Sequence, residues 1–284
     1  EIFMKNKPCV LTHKQIGRYA KHLQEQERAA QTIQKYTHDL IALWKYLDGR
    51  QLTKGVLIEW KGHLMEKYAP ASVNSMLTAV NCFLAFAGRR EMAVRLLKIQ
   101  RTLFCDESRE LSREEYTRLV RTAETRGNQQ LALVIQTICA TGIRVSELQH
   151  ITVEAVLAGR AQVSNKGKRR IVFIPNTLRK ILKKYLHKQK ITAGAVFVTR
   201  TGRPLDRSNI WRSMKALCEQ AGIAPEKVFP HNLRHFFARV YYSMEKDLLR
   251  LADILGHSNI NTTRIYTAES SFVCARRLEH MKLV

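Results

Sequence analysis

No stretch of apolar side chains in this 284-residue chain approaches the ~20 residues that a membrane-spanning helix requires, so a membrane is not an expected partner. The segment from Glu1 to Leu11 is basic and short, without the apolar core of a secretory signal. The chain opens without Met, as a processed or trimmed N-terminus would. Cysteine is thinly spread. Cys9, Cys82, Cys105, Cys139, Cys218 and Cys274 form no Cys-x-x-Cys pair and no Cys/His pair at metal-ligand spacing, which argues against a disulfide framework and a structural zinc site. They are expected to be reduced, mostly buried thiols of a cytoplasmic protein. No internal repeat or low-complexity tract stands out, and 45% hydrophobic with 25% charged residues excludes a disordered chain or a fibre. Scarcest of all is negative charge: 24 Asp and Glu stand against 48 Lys and Arg, a net of +24. Such an excess repels itself in a compact state unless a polyanion neutralises it, and nucleic acid is the commonest one.

The first hundred residues carry helical periodicity throughout. Thr12 is placed to cap a helix running to about Glu27, with Ile16, Tyr19, Ala20 and Leu23 on one face. A second helix, about Ala29 to Leu47, aligns Ile33, Tyr36, Leu40, Leu43, Trp44 and Leu47; Asp48-Gly49 ends it. Thr53 opens a third with Leu57, Trp60 and Leu64. Pro70 suits the first turn of a fourth, which carries Val73, Leu77, Val80 and Leu84. The predicted fold is mainly α (α+β) in two domains, a four-helix domain over 1–105 and a larger one over 106–284. The charged, weakly periodic stretch from Arg89 to Arg109 is the expected connection. The first 105 residues hold 17 basic and 8 acidic side chains, and the rest hold 31 and 16. Both domains are therefore expected to meet the same polyanion, as a clamp around a duplex.

In the second domain Ser112-Arg113-Glu114-Glu115 is a capping box, with Leu111 as a hydrophobic staple. Helices are expected to about Thr125 and from Gln129 to Ala140. Between Ala161 and Pro175 the period changes. Ala161-Gln162-Val163 and Arg170-Ile171-Val172-Phe173-Ile174 read as strands of a small antiparallel sheet, joined by the turn Asn165-Lys166-Gly167-Lys168. Helices return at about Asn176–Lys188, Ser208–Ala221, His231–Met244 and Asp247–Leu255.

Four short segments carry candidate chemistry, and each alone has an ordinary structural reading. In Thr141-Gly142-Ile143-Arg144-Val145-Ser146-Glu147-Leu148 the glycine breaks a helix, Ser146 can begin another, and Arg144 sits at the bend. Its plain reading is a surface pair with Glu147. The basic tip Asn165 to Arg170 could be a charged sheet edge, or could deliver a lysine to a phosphate. In His231-Asn232-Leu233-Arg234-His235, residues three apart share a helix face, so His231 and Arg234 can converge on one ligand. Gly256 in Leu255-Gly256-His257 is placed to cap a helix, and Tyr266 follows nine residues after His257.

Together and in this order the segments "TGIRVSEL", "NKGKRRIVFIP", "HNLRHFFA" and "LGHSNINTTRIYT" resemble the boxes of the tyrosine recombinase/integrase family, above all Xer-type recombinases and integrases of mobile elements. The resemblance covers the whole architecture, a helical core-binding domain (SAM-like) followed by a helical catalytic domain with a small sheet. It implies Arg144, Lys166, His231, Arg234, His257 and Tyr266 as the catalytic set, with Lys168 a rival to Lys166. Phe236 and Ala268 depart from the family pattern without touching that set. No arm-binding module is visible ahead of the core-binding domain, as expected of a simple recombinase or of one whose module was trimmed. The implied activity is site-specific DNA recombination through a 3′-phosphotyrosine intermediate and a Holliday junction. Double-stranded DNA sites and a homotetramer with exchange of C-terminal tails are the implied partners, in a nucleoid-associated location. Type IB topoisomerase-like relaxation and a catalytically silent DNA-binding protein are the alternatives.

Elementary chemistry agrees with this assignment. Planar guanidiniums donate parallel hydrogen bonds to non-bridging phosphate oxygens, so Arg144 and Arg234 can clamp them. Donors of this kind contribute ~10²–10³ in rate each. No metal or other cofactor is then required. A phenol with a pKa of about 10 needs help to lose its proton at pH 7; His231 is the candidate for that help or for orienting the phosphate, and the sequence leaves both roles open. Lys166 could protonate the leaving 5′-oxygen as a general acid. A covalent phosphotyrosine conserves the bond energy, so rejoining needs no ATP.

Overall fold

Thr12 starts helix α1 (His13–Glu25) with a reciprocal cap: its hydroxyl accepts from the Gln15 N–H, and the Gln15 side chain accepts from the Thr12 N–H at 2.9 Å. The computed structural model describes residues 10–99, 107–165, 168–257 and 259–267. Helix α2 (Ala30–Leu47) ends at Asp48, which takes the left-handed conformation. The Thr53 hydroxyl caps α3 (Lys54–Lys67), and Pro70 stands in the first turn of α4 (Pro70–Phe86). Every residue that periodicity aligned in α3 and α4 is buried. In α2, Leu40, Leu43 and Leu47 enter the core while Ile33, Tyr36 and Trp44 pack partly buried at its edge.

The chain divides into two compact units, Glu1–Arg101 and Thr102–Val284. The stretch after Arg89 is not simply a connection. Asn74 and Asn81, seven residues apart and hence on one face of α4, each hold the backbone of this stretch by two hydrogen bonds. Asn74 bonds the N–H and C=O of Leu97 at 2.7 and 2.9 Å, and Asn81 those of Val94 at 3.1 and 2.9 Å. Val94 is buried against the first unit's core. The sequence reading missed this strap because an asparagine pairing with a distant backbone leaves no periodic signal.

The second unit runs α5 (Arg113–Thr125), α6 (Gln129–Thr141), a 3-10 turn (Val145–His150), α7 (Val153–Ala158), strands β1 (Arg160–Asn165) and β2 (Lys168–Phe173), α8 (Asn176–Gln189), α9 (Arg207–Lys215), α10 (Cys218–Ala221), α11 (Pro230–Glu245) and α12 (Leu248–Leu255), with short 3-10 turns at Ile260–Thr262 and Arg264–Thr267. Ser112 and Glu115 form the expected capping box. The strands are antiparallel, with Ala161 opposite Val172, Val163 opposite Arg170 and Asn165 opposite Lys168. They are longer at the turn end than the apolar residues alone suggest, because the polar residues Ser164, Asn165, Lys168 and Arg169 complete the ladder. Val163, Val172 and Ile174 face the core, whereas Ile171 and Phe173 are exposed, as a one-sided sheet requires. The single helix expected over Ser208–Ala221 is two, since the Leu217 N–H bonds back only three residues to Met214 and breaks the α-helical ladder. A 3-10 turn likewise replaces the helix expected from Ser146.

Helix α6 lies between α5 and α11 in the main core. A smaller apolar cluster joins Ala238, Leu251, Leu255 and Tyr266. Among the described cysteines Cys218 is buried, Cys139 partly so and Cys82 exposed; Cys9, Cys105 and Cys274 lie outside the described residues. No described helix is long and apolar enough to cross a membrane, and no group of three or more His, Cys, Asp or Glu side chains suits a metal ion among the described residues.

Gly142 ends α6 at φ 64°, where an added Cβ would stand 2.5 Å from Phe237 Cδ1 and 3.1 Å from Leu255 Cδ2. Left-handed backbone and overpacking both oppose a side chain there. Gly142→Ala should therefore destabilise the second unit by about 1–3 kcal/mol, measured as a lower midpoint of thermal unfolding; an unchanged midpoint would mean that the α6–α11 contact relaxes freely.

Candidate active site

Three consecutive backbone carbonyls at the end of α12 each receive an arginine. A helix C-terminus leaves its last carbonyls without intrahelical partners and carries partial negative charge. Ile254 O accepts from Arg170 Nη1 at 2.7 Å, Leu255 O from Arg234 Nη2 at 2.5 Å and Gly256 O from Arg144 Nη2 at 3.2 Å. Local sequence sets this helix end. The Asp247 carboxylate caps α12 by accepting from the Arg250 N–H at 2.9 Å, and Gly256 stops it at φ 64°. A Cβ at Gly256 would also lie 2.5 Å from Arg170 Cδ, so only glycine admits the arginine.

Among the described residues, the single carboxylate bonded to these cations belongs to Glu147, whose side chain is 3% exposed. Its Oε1 accepts from Arg144 Nη1 at 3.0 Å, and its Oε2 accepts from Arg170 Nη2 at 2.6 Å and from the Arg144 N–H at 3.0 Å. Burial alone would raise its pKa, but these donors hold the carboxyl below its ordinary value. The Arg144–Glu147 pair of the plain reading does form, yet it is no solvated surface pair. Arg234 is 2% exposed and bonds Gly142 O as well as Leu255 O. Burial and the neighbouring Arg144 and Arg170 push it down to about 9, still charged at neutral pH.

Arg234 Nη2 also lies 3.2 Å from His257 Nε2. A guanidinium only donates, so Nε2 accepts, His257 is neutral, and its proton sits on Nδ1, which donates to Thr263 Oγ1 at 2.9 Å. Burial first, then Arg234 and Arg144, push the His257 pKa down to about 4. Tyr266, 6% exposed, stacks with the His257 ring at 6.3 Å between centroids and meets the His235 ring edge-on at 5.1 Å. Burial raises the Tyr266 phenol above its ordinary value, against the pull of Arg234 and Arg144. His231 stands in the first turn of α11 with its ring 4.4 Å from that of His235. Burial and then Arg234 and Arg144 lower its pKa too.

Of the six residues singled out in the sequence, Arg144, Arg234, His257 and Tyr266 thus form one connected cluster, with His231 beside it through His235. Lys166 lies outside the described residues, and β1 and β2 lead to and from its position. Sequence reasoning left out Glu147 as a working member, and with it Arg170, Thr263 and His235. Arg170 had a readable signal: it alternates with Val172 and Ile174 on the inward face of β2, and an inward charge is the informative exception. The Thr263 contact had none.

A family profile described as the phage integrase family matches residues 109–271, and one described as the phage integrase N-terminal SAM-like domain matches residues 16–91. Tyrosine recombinase XerD of Lacticaseibacillus casei is 31% identical over 278 residues, covering 90% of this chain and 94% of its own. Tyrosine recombinase XerA of Pyrococcus furiosus is 29% identical over 263 residues, 89% of this chain and 88% of its own. Among solved structures, a lambda integrase (75–356) dimer bound to a COC′ core site superposes with a TM-score of 0.73 at 18% identity, covering 90% and 94% of the two chains. XerH bound to its difH substrate gives 0.68 at 18% identity, covering 91% and 82%. Fold, sequence boxes and relatives coincide, and the chain belongs to the phage integrase family as a tyrosine site-specific recombinase.

Proposed function

We propose that this recombinase cleaves and rejoins duplex DNA at specific sites, with Tyr266 as nucleophile and Arg144, Arg234, His231, His257 and Lys166 as its catalytic set. One observation carries the reading: the buried Tyr266 stacks on a histidine that is itself bonded to a buried arginine. The Tyr266 oxygen attacks the scissile phosphorus and displaces the 5′-oxygen, leaving a 3′-phosphotyrosine; attack by a 5′-hydroxyl reverses the step. Arg144 and Arg234 neutralise the non-bridging oxygens as charge builds on them. His231, neutral at physiological pH, takes the phenol proton, and Lys166 donates to the departing 5′-oxygen. Residues 1–105 act as the core-binding domain and 106–284 as the catalytic domain, and both basic domains meet the duplex. DNA is bound in the solved structures of lambda integrase and XerH, and a lambda integrase tetramer occupies a Holliday junction. The same assembly is the working form here, four subunits exchanging C-terminal tails. Topoisomerase-like relaxation and a silent scaffold are set aside by the family match.

Covalent trapping on a library of nicked random-sequence duplexes should recover the target site and a phosphotyrosyl adduct. Tyr266→Phe should abolish the adduct while changing affinity for the recovered duplex by less than about twofold, since one hydroxyl is lost and little packing. Adduct at the wild-type rate would move the nucleophile to another tyrosine.

The pH profile follows from the depressed histidines. A ring with a lowered pKa stays neutral above that value, so a base at His231 loses activity only as pH falls below the ordinary 6.5. The rate of adduct formation at subsaturating duplex, which reports the free enzyme, should therefore hold its acid limb below pH 6.5. A limb already falling between pH 8 and 7 would remove His231 as the base.

Tail exchange gives the third outcome. Deleting residues 271–284 should leave binding of one subunit to its half-site intact, yet abolish cooperative complexes and recombinant product on gels. Unchanged recombination by the truncated chain would eliminate exchange.

A further inference from the structure

Arg170 joins the charged cluster through both of its terminal nitrogens and has no place in the proposed reaction. Its side chain is 13% exposed. One Nη donates to Glu147 at 2.6 Å and the other to Ile254 O at 2.7 Å, and its Nε is buried without a partner among the described residues. Its stem fills the space above Gly256. Three separate elements therefore meet on one guanidinium: strand β2, the 3-10 turn that carries Glu147 and is preceded by Arg144, and the end of α12 that leads into His257.

The geometry fixes what each connection can do. Glu147 orients Arg144 through both oxygens, but those two bonds come from one residue; Arg170, sharing Oε2 with the Arg144 N–H, anchors the carboxylate to a second element, strand β2. The bond to Ile254 O fixes the helix end beside which Arg144 and Arg234 find their own carbonyls. We infer that Arg170 is a positioning residue for strand cleavage, holding Glu147 and the end of α12 so that Arg144 meets the scissile phosphate, while making no contact with DNA. This inference rests on the assignment of Arg144 to the phosphate. Because β2 is also the strand that follows Lys166, the same arginine ties the lysine's strand to the phosphate-binding side of the site.

The test measures single-turnover adduct formation on the nicked duplex recovered by trapping, at saturating protein, with duplex affinity and thermal unfolding in parallel. Arg170→Met should slow cleavage about 10–100-fold, the scale of loss when a reacting group is misplaced by about an ångström, with duplex affinity changed less than about twofold. Arg170→Lys should recover part of the rate, because an ammonium can bond Glu147 or the carbonyl but cannot span both in the planar fork. The decisive readout is the pair Arg144→Ala with Arg170→Met. A residue acting through Arg144 adds little once Arg144 is gone, so the double variant should cleave within about threefold of Arg144→Ala alone. Two results overturn the inference: wild-type cleavage by Arg170→Met, or losses that multiply in the double variant. Loss of both affinity and fold in Arg170→Met together with full activity in Arg170→Lys would also overturn it, leaving only a packing role. If Arg144→Ala itself cleaves at the wild-type rate, the site assignment falls instead, and the two failures stay separate.

Discussion

The carboxyl end of α12 is the negative pole on which three guanidiniums meet, and the rest of the site depends on it. Like charges do not gather in a half-buried space unless something opposes their repulsion before DNA arrives. Here the opposition is a helix terminus, Glu147 and the carbonyl of Gly142. Helix-end interactions with a cation are worth typically 0.3–1 kcal/mol, and up to about 2 when partly buried; hydrogen bonds from charged donors add about 1.5–3 each. These terms are large enough to assemble the cluster and too small to neutralise it. Three cations against one carboxylate leave an excess of positive charge, which is what a phosphodiester gaining charge requires.

The nucleophile is held differently from the phosphate-binding side. Arg234 is locked by bonds to two helix ends, whereas Tyr266 sits on a short 3-10 turn whose N–H bonds only to Thr263 O at 3.0 Å. The phenol is held by ring packing against His257 and His235, by the small cluster of Ala238, Leu251 and Leu255, and by one side-chain hydrogen bond with Arg234. The charged half of the site is thus preorganised by directional bonds, while the attacking half is kept in place mainly by burial.

Much of this was legible in the residues. Caps at Thr12, Thr53 and Ser112, the stops at Asp48 and Gly256, and the stripes in α3 and α4 all act through neighbours a few positions away, so local spacing reports them. The four motif segments pointed to four of the clustered side chains, and to His231 beside them, because their order along the chain is itself the signal. What stayed hidden depends on contacts across long separations: the asparagine strap between α4 and Leu97, the bridge from Arg170 to Ile254, and Thr263 under His257. The plain pairing of Arg144 with Glu147 was visible, but its burial was not. Whether an ion pair is solvated or enclosed is decided by β2 and α12, which no window around residue 144 contains.

The acceptors that hold the three arginines have one further property. Apart from Glu147 and the His257 ring nitrogen they are peptide oxygens, and every amino acid supplies the same oxygen. Substitution at Ile254 or Leu255 changes what fills the core but cannot delete the group that receives the guanidinium. Drift at these positions is therefore uncoupled from the chemistry, so long as the helix ends where it does. Selection on such a site falls on the arginines and on the glycine that terminates the helix, and leaves the lining between them free to diverge.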